Sequence, residues 1–464
     1  MSHKSDPRVP WRVRAAYAAP AFVLAAVGVP LYVFVPKFYT DVVGVDIAVM
    51  GWLILAARLF DGISDPLVGL VSDRTRTSLG RRRPYLFFGS AVLGLLIYLM
   101  YVPPSTGPVA AAWWFGTVLL LLTLAWTVVD VPWEAMGPEL TFDYDERTAI
   151  FGIRDGLFLF GTLAAVASPA IIAQLVDLPA GGAGEREKYR IFALAYAPLI
   201  LLTCWWCAVV VREKTHASAG QRVGLWEGAS LLLTNRPFRI LLISYTIAAI
   251  GSNLPATLIL FYLQYVLGTT AAEGFLLLYF LTGIVFLPLW VRLSRAIDKK
   301  KAWLWAMAVN TGAFFGVFFL GQGDLLAYGV LVFLSGIGFG ANIVLPSSMQ
   351  ADVIDYDELR SGERREGQYI GIWAIAKKVS SAAGLGLALP ILGAAGYQAG
   401  VEQTEQVKLV LRILYALLPC LCNAVAIFIA LRYPIDAKSH AAILTSIGKG
   451  RVGKLARDPL EGDQ

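Results

Sequence analysis

Long apolar runs separated by short polar breaks constrain this chain more than any other feature. They fall near residues 15–40, 47–72, 85–103, 110–140, 149–176, 189–211, 237–266, 271–297, 303–320, 325–352, 368–395 and 405–432. Each is close to the roughly 20 residues that an α-helix needs to cross about 30 Å of hydrocarbon. Segments of about ten alternating residues, the mark of an outer-membrane barrel, are absent. The expected fold class is an all-α membrane protein with twelve transmembrane helices. Composition agrees, because 57% of the 464 residues are hydrophobic and 16% are charged, against about 25% charged in soluble chains.

The first run, from Ala15 to about Tyr39, is too long for a signal-peptide core and lacks a small-residue cleavage site. It reads as an uncleaved first span. Cys204, Cys207, Cys420 and Cys422 lie inside apolar runs, where a cysteine serves as a small hydrophobe. No disulfide or metal framework is expected.

The net charge is +6, and its distribution carries more information than its size. Basic residues gather in alternate breaks: Arg74, Arg76, Arg81, Arg82 and Arg83 in one, and Arg292, Arg295, Lys299, Lys300 and Lys301 in another. Lys438, Lys449, Arg451, Lys454 and Arg457 follow in the tail. The positive-inside rule puts those segments in the cytoplasm, and twelve spans put both termini there. Each cluster abuts or closely follows a span, so the charge reads as topology and no nucleic-acid partner is expected.

The longest polar break outside the tails, Arg212 to Arg236, divides the runs six and six. The expected organisation is an N-terminal six-helix half (1–211), a cytoplasmic central loop (212–236), a C-terminal six-helix half (237–432) and a cytoplasmic tail (433–464). Asp73-Arg74-Thr75-Arg76 after the second run is echoed by Asp298-Lys299-Lys300-Lys301 after the eighth. Repeated halves around a midplane site are a secondary-transporter architecture.

Ionisable side chains within the runs are the next constraint, since each costs about 2.5–3.5 kcal/mol at the centre of a membrane helix on insertion scales. In the second run Arg58, Asp61 and Asp65 fall at i, i+3 and i+7 and share one helix face. Two carboxylates one turn apart, with Ser64 beside them and Gly62 letting another helix approach, suit an oxygen cage for Na⁺ or a protonatable pair for H⁺. A structural ion pair with Arg58 would account for one acid, not both. The fourth run repeats the spacing with Thr127, Asp130 and Glu134, flanked by Trp126 and Trp133. Thr127 is a candidate cation ligand and Asp130 a candidate acceptor for substrate. Trp126 and Trp133 have rings able to stack on a sugar, although tryptophans at such spacing also serve as packing residues. Arg154 in the fifth run and Lys377 or Lys378 in the eleventh supply positive charge to offset these acids; Lys378 lies too far inside its run to reach the interface easily.

Two polar segments suit salt bridges at a cytoplasmic gate: Asp73-Arg74-Thr75 through Gly80-Arg81-Arg82-Arg83-Pro84, and the loop Asp352-Val353-Ile354-Asp355-Tyr356 followed by Arg364-Arg365-Glu366-Gly367. Asp73, Arg74, Arg81, Asp352, Asp355 and Glu366, with Arg58 and Glu134 in the spans, form the expected charge and gating network. His3, His216 and His440 lie in tails or the central loop, and no phosphate-cradling loop occurs. Neither a membrane enzyme with a convergent catalytic set nor an ATP-driven pump is therefore expected. An uncoupled facilitator has little reason to keep Asp61 and Asp65 in hydrocarbon.

Several segments together resemble the glycoside-pentoside-hexuronide:cation symporters of the major facilitator superfamily, typified by melibiose permease. They are Phe38-Tyr39-Thr40-Asp41-Val42-Val43-Gly44, the Arg58–Gly69 run ending Asp65-Pro66-Leu67-Val68-Gly69, Asp130-Val131-Pro132-Trp133, and Ala351 to Tyr356 with Glu366 and Gly367. The resemblance implies the superfamily fold of two six-helix halves. It implies cation binding at Asp61, Asp65 and Thr127, with Ser64 where melibiose permease has an asparagine. It also implies substrate contact at Asp130, Arg154, Trp126 and the eleventh-helix Lys378.

Two departures limit what carries over. Ala25 stands where melibiose permease has a first-helix aspartate, and Glu134 where it has a tryptophan, so a galactoside is a doubtful substrate. The sodium-dependent lysophosphatidylcholine symporters share the second-span acids and the lysine, and an apolar first helix around Ala25 suits a lipid tail. The expected function is secondary active symport of a sugar or glycoside with Na⁺ or H⁺, Na⁺ lying at Asp61 and Asp65. The alternative is a lysolipid-like solute, or uncoupled facilitation. No cofactor besides the coupling ion is expected, and the expected form is a monomer among inner-membrane lipids.

Overall fold

The computed structural model describes residues 9–104, 107–141, 144–213, 234–362 and 365–449, with 451, 453 and 459–460 of the tail. The regular structure among them is helical, apart from one isolated bridge between Thr77 and Gly80. In chain order come α1 (Trp11–Val33), α2 (Ile47–Arg74), α3 (Tyr85–Tyr101), α4 (Pro108–Leu140), α5 (Tyr144–Leu175) and α6 (Gly182–Val210). They are followed by α7 (Arg236–Leu267), α8 (Ala272–Ile297), α9 (Lys299–Val317), α10 (Leu325–Ser361), α11 (Glu366–Ala394), α12 (Glu405–Ala430) and the short α13 (Ala437–Gly448). Ten are long and apolar enough to cross a membrane, and α3 is apolar but shorter. Their outer faces match that environment: Trp113, Leu175 and Leu326 are 75%, 80% and 85% exposed. An all-α membrane protein is what these elements build.

Two expectations about boundaries are corrected. The segment after Asp352 is helix rather than loop, because no glycine or proline falls between Asp352 and Gly362. Gly362 ends the helix at φ +75°, a left-handed conformation that glycine adopts without steric cost. Asp352, Asp355 and Tyr356 therefore sit on the closing turns of α10. The tail also holds a helix. Asp436 accepts a hydrogen bond from the Ser439 backbone N–H at 2.7 Å while the Ser439 hydroxyl accepts from the Asp436 N–H at 2.8 Å, a reciprocal cap that starts α13. The hydrogen bonds from Ser439 hold the Asp436 carboxyl below its ordinary pKa.

The chain forms two compact units, one of residues 1–218 with 385–403, the other of 219–384 with 404–464. In the first, α1 packs on α5 and α6, α2 on α4, and α3 on α6. The α1–α5 approach is set at Gly161, where a Cβ would overlap the carbonyl oxygen of Phe22 and touch Ala25. The segment Phe38 to Val43 continues the first span as a π-helical turn and closes at Gly44. Its Asp41 takes hydrogen bonds from Lys37 Nζ at 2.6 Å and Tyr397 Oη at 2.7 Å. Asp46 then caps α2 by accepting from the N–H groups of Ala48 and Val49.

In the second unit α10 packs on α8 and α9, and α7 on α12. Its apolar core includes Trp303, Met349, Tyr369 and Trp373. A buried polar chain crosses it: Asn423 donates to Asn310, and Asn310 donates to Ser335 Oγ.

Candidate cation and substrate site

On α2 the 3.6-residue period puts Arg58, Asp61 and Asp65 on one face, and α4 presents Thr127 to it. The Thr127 hydroxyl donates to Asp65 Oδ1 at 2.9 Å and lies 3.2 Å from Asp61 Oδ1. Ser64 Oγ is 3.3 Å from the same hydroxyl and 3.2 Å from the Asp61 carbonyl oxygen. All four residues expected to hold a cation thus meet around one Thr127 oxygen. A threonine hydroxyl carries a single proton, so it serves one carboxylate at a time. Two carboxylates and two hydroxyls within hydrogen-bond reach make an oxygen-rich, anionic cluster. One hard monovalent cation or one added proton offsets half of that charge. Asp61, Ser64 and Thr127 are buried, which strengthens the attraction for a positive charge.

Arg58 approaches the cluster at one edge, with Nη1 3.7 Å from Asp61 Oδ2. The guanidinium lies over the Tyr32 ring of α1, 3.7 Å from its centroid. Gly62, expected to admit a neighbouring helix, does not: a Cβ there would meet nothing within 4 Å. One close helix approach in this unit falls instead at Gly161.

The expected substrate residues on α4 and α5 differ in burial and in what they pack against. Trp126 is half-buried and leans on α1, where a Cβ at Gly28 would stand 3.1 Å from its Cη2. Asp130 is half-buried on the same helix and Glu134 is exposed. Trp133 is buried and packs, its indole N–H donating to the Tyr17 carbonyl at 2.9 Å. Arg154 pairs with its neighbour Asp155 at 2.8 Å and lies over the Phe151 ring at 4.7 Å, so the adjacent acid provides its ion pair. Ala25 is 2% exposed and faces Gly161, so helix packing explains its small side chain. Lys378 is half-buried on α11, in the second unit.

A family model for MFS/sugar transport proteins matches residues 16–437. The chain belongs to this family. Within the major facilitator superfamily it is a glycoside-pentoside-hexuronide:cation symporter homologue. The glucuronide carrier protein homolog of Escherichia coli K12 is 26% identical, over 89% of this chain and 90% of its own. The isoprimeverose transporter of Lactiplantibacillus pentosus is 24% identical, over 92% and 89%. The sodium-dependent lysophosphatidylcholine symporter 1 of Xenopus tropicalis is 25% identical, over 89% and 85%. A solved nucleoside transporter, NupG, superposes with a TM-score of 0.67 at 13% identity, covering 91% of this chain and 99% of that one, a likeness of fold alone.

Of the expected gating residues in this MFS member, Arg81 belongs to one polar cluster and Asp352 and Asp355 to another. In the first unit, Glu213 just past α6 accepts hydrogen bonds from three consecutive backbone N–H groups, Arg81, Arg82 and Arg83, at 2.7, 2.7 and 3.0 Å. Arg82 also donates to the Ala135 carbonyl and Arg83 to that of Ala208. Arg74 is exposed at the end of α2. The side chains of Asp73 and Glu366, Arg364, and most of the central loop lie outside the described residues.

In the second unit, Lys299 Nζ reaches both Asp352 oxygens at 2.6 and 2.8 Å. His440 of α13 lies 3.0 Å from Asp355 and 3.5 Å from Asp352. The Asp355 contact raises the His440 pKa above its ordinary value, against the opposing effect of burial. Arg365 grips Asp357 through two hydrogen bonds, at 2.9 and 2.6 Å.

Sequence reasoning missed Tyr32, Glu213 and His440 as partners. No local pattern pairs Tyr32 with Arg58 or Glu213 with Arg81. His440 was legible only through the capping residues Asp436 and Ser439, which announce a helix in the tail.

Proposed function

We propose that this protein is a secondary active symporter that couples entry of Na⁺ or H⁺ to uptake of a sugar or glycoside by alternating access. The meeting of Asp61, Ser64, Asp65 and Thr127 around one hydroxyl carries this reading, because an uncoupled carrier has no use for two acids placed so close together in a membrane span. Binding of one monovalent cation offsets one of the two acid charges, Arg58 beside Asp61 offsets the other, and the electrostatic penalty of moving the pair falls. Asp130 and Trp126, on the helix that supplies Thr127, are the substrate-facing groups, and Arg154 and Lys378 supply further positive charge. Arg58, Glu134, Asp73, Arg74, Arg81, Asp352, Asp355 and Glu366 serve charge balance and gating. The names of the carrier homologue and of the isoprimeverose transporter support a carbohydrate substrate.

The amphibian relative supports a lysolipid as the second reading. Its structural motive, an apolar first helix at Ala25, is weakened because that residue packs on α5. In the proposed arrangement residues 1–211 and 237–432 form the two halves, both termini are cytoplasmic, and the protein is a monomer in the inner membrane. The proposed transport cycle calls for no catalytic set and no cofactor beyond the coupling ion.

The test is transport in proteoliposomes under imposed Na⁺ and pH gradients, with isoprimeverose, a glucuronide and lysophosphatidylcholine as probes. Asp61→Asn and Asp65→Asn are expected to abolish accumulation while leaving some exchange. Full accumulation in both variants would remove the coupling assignment, and accumulation of the lysolipid alone would select the second reading.

A further inference from the structure

In the first unit the indole N–H groups of Trp114, Trp133 and Trp205 each donate to a backbone carbonyl, at 3.2, 2.9 and 3.0 Å. That of half-buried Trp126 has no acceptor among the described residues, although a tryptophan inside a fold ordinarily finds one. The benzene edge of the Trp126 ring rests instead on α1, where a Cβ at Gly28 would stand 3.1 Å from Cη2 and 3.5 Å from Cζ2. Gly28 lies within α1 and outside the positive-φ glycines. Its backbone therefore has no need of glycine, which inside a helix is less stable than alanine. Room for the ring accounts for it.

We propose that Gly28 is a positioning residue for the solute: it seats Trp126 so that the ring face stacks on a sugar ring while the indole N–H donates to a sugar hydroxyl. This role rests on the reading of Trp126 as substrate-facing given above. A carbohydrate offers C–H groups on a ring face and hydroxyl oxygens at its rim, and an indole offers an apolar face with a single donor. A methyl group at position 28 is tighter against Cη2 than an ordinary carbon contact of about 3.5–4.0 Å, so one side must yield. The helix is fixed on its α5 side, where Gly161 admits the Phe22 carbonyl. The ring, which no hydrogen bond to a described residue pins, is the side that moves, and the size of residue 28 thereby becomes a determinant of solute affinity.

Wild-type, Gly28→Ala, Trp126→Phe and Gly28→Ala/Trp126→Phe proteins are labelled with 5-fluorotryptophan for fluorine NMR. In parallel, uptake of isoprimeverose and of a glucuronide is measured in proteoliposomes under Na⁺ and pH gradients. The Trp126 resonance is the one lost in Trp126→Phe. Gly28→Ala is expected to shift that resonance and leave those of the other tryptophans in place, and a transported sugar is expected to shift it in the wild type. Gly28→Ala is expected to raise KM about threefold to tenfold, with the maximal rate and the Na⁺ midpoint of the wild type, because only the placing of a binding group has changed. Trp126→Phe is expected to raise KM about twofold to tenfold through the lost hydrogen bond. Its smaller ring leaves room for the methyl group, so adding Gly28→Ala in that background is expected to have no further effect.

An unmoved Trp126 resonance in Gly28→Ala overturns the role. So does a wild-type KM in that variant, or a rise of the same size in the Trp126→Phe background. Failure of the underlying reading is distinct: a wild-type KM in Trp126→Phe, or a transported sugar that leaves the Trp126 resonance in place, removes Trp126 from the solute site and the positioning role with it. A wild-type protein that takes up neither sugar defeats the carbohydrate reading, and the role falls with that too.

Discussion

The Thr127 hydroxyl on α4 stands 2.9 Å from the Asp65 carboxylate on α2, and 3.2 Å from that of Asp61. One oxygen on one helix thereby joins two acids that the neighbouring helix carries a turn apart. If the cluster holds a cation, Thr127 is the residue whose loss removes one neutral ligand without altering charge. Thr127→Val is expected to weaken Na⁺ binding about tenfold or more, in the range of a lost hydrogen bond to a charged group, whereas Thr127→Ser retains the oxygen and most of the affinity. Isothermal titration of Na⁺ checks this, and an unchanged affinity in the valine variant would separate Thr127 from the ligand set.

Gly161 and Gly62 make a paired test of packing. A methyl group at Gly161 collides with the Phe22 carbonyl where α1 meets α5, while one at Gly62 meets open space. Gly161→Ala is expected to cost about 1–3 kcal/mol through overpacking. Gly62→Ala is expected to be neutral or stabilising by up to about 1 kcal/mol, as for alanine replacing glycine within a helix. Thermal unfolding in detergent, read by size-exclusion chromatography, distinguishes the two. Equal melting temperatures would show that the α1–α5 approach is looser than the structure has it.

His440 confers a pH dependence whose sign is determined by its partners. Asp355 and Asp352 of α10 attract its proton and Lys299 of α9 opposes it, and the net effect raises its pKa. A group with a raised folded pKa stabilises fully below its unfolded value, about 6.5 for histidine, and that contribution is lost as pH rises through the folded value. His440→Gln is therefore expected to lower thermal stability at pH 6, by about 1 kcal/mol or less for a partly exposed pair, and to match the wild type at pH 9. Melting curves at both pH values check the sign; a larger deficit at pH 9 would contradict it.

The sequence by itself determined the helical spans, the shared face of Arg58, Asp61 and Asp65, and the matching row Thr127, Asp130 and Glu134. These are local properties, since hydrophobic length and a 3.6-residue period require no knowledge of which helices adjoin. The family motif around Asp41 was equally legible, though its bond to Tyr397 was not.

Only the tertiary structure decided that α4 faces α2 through Thr127 and that Arg58 rests on Tyr32. It also turned Ala25 toward Gly161 and left Gly62 in open space. Such pairings depend on which helix faces approach closely, and in a membrane, where lipid is as apolar as the side chains, small residues and specific polar contacts govern that choice. The extension of α10 past Asp352 and the docking of α13 at His440 lay beyond the apolar pattern for the same reason: polar and capping interactions, not hydrophobic length, hold those turns together.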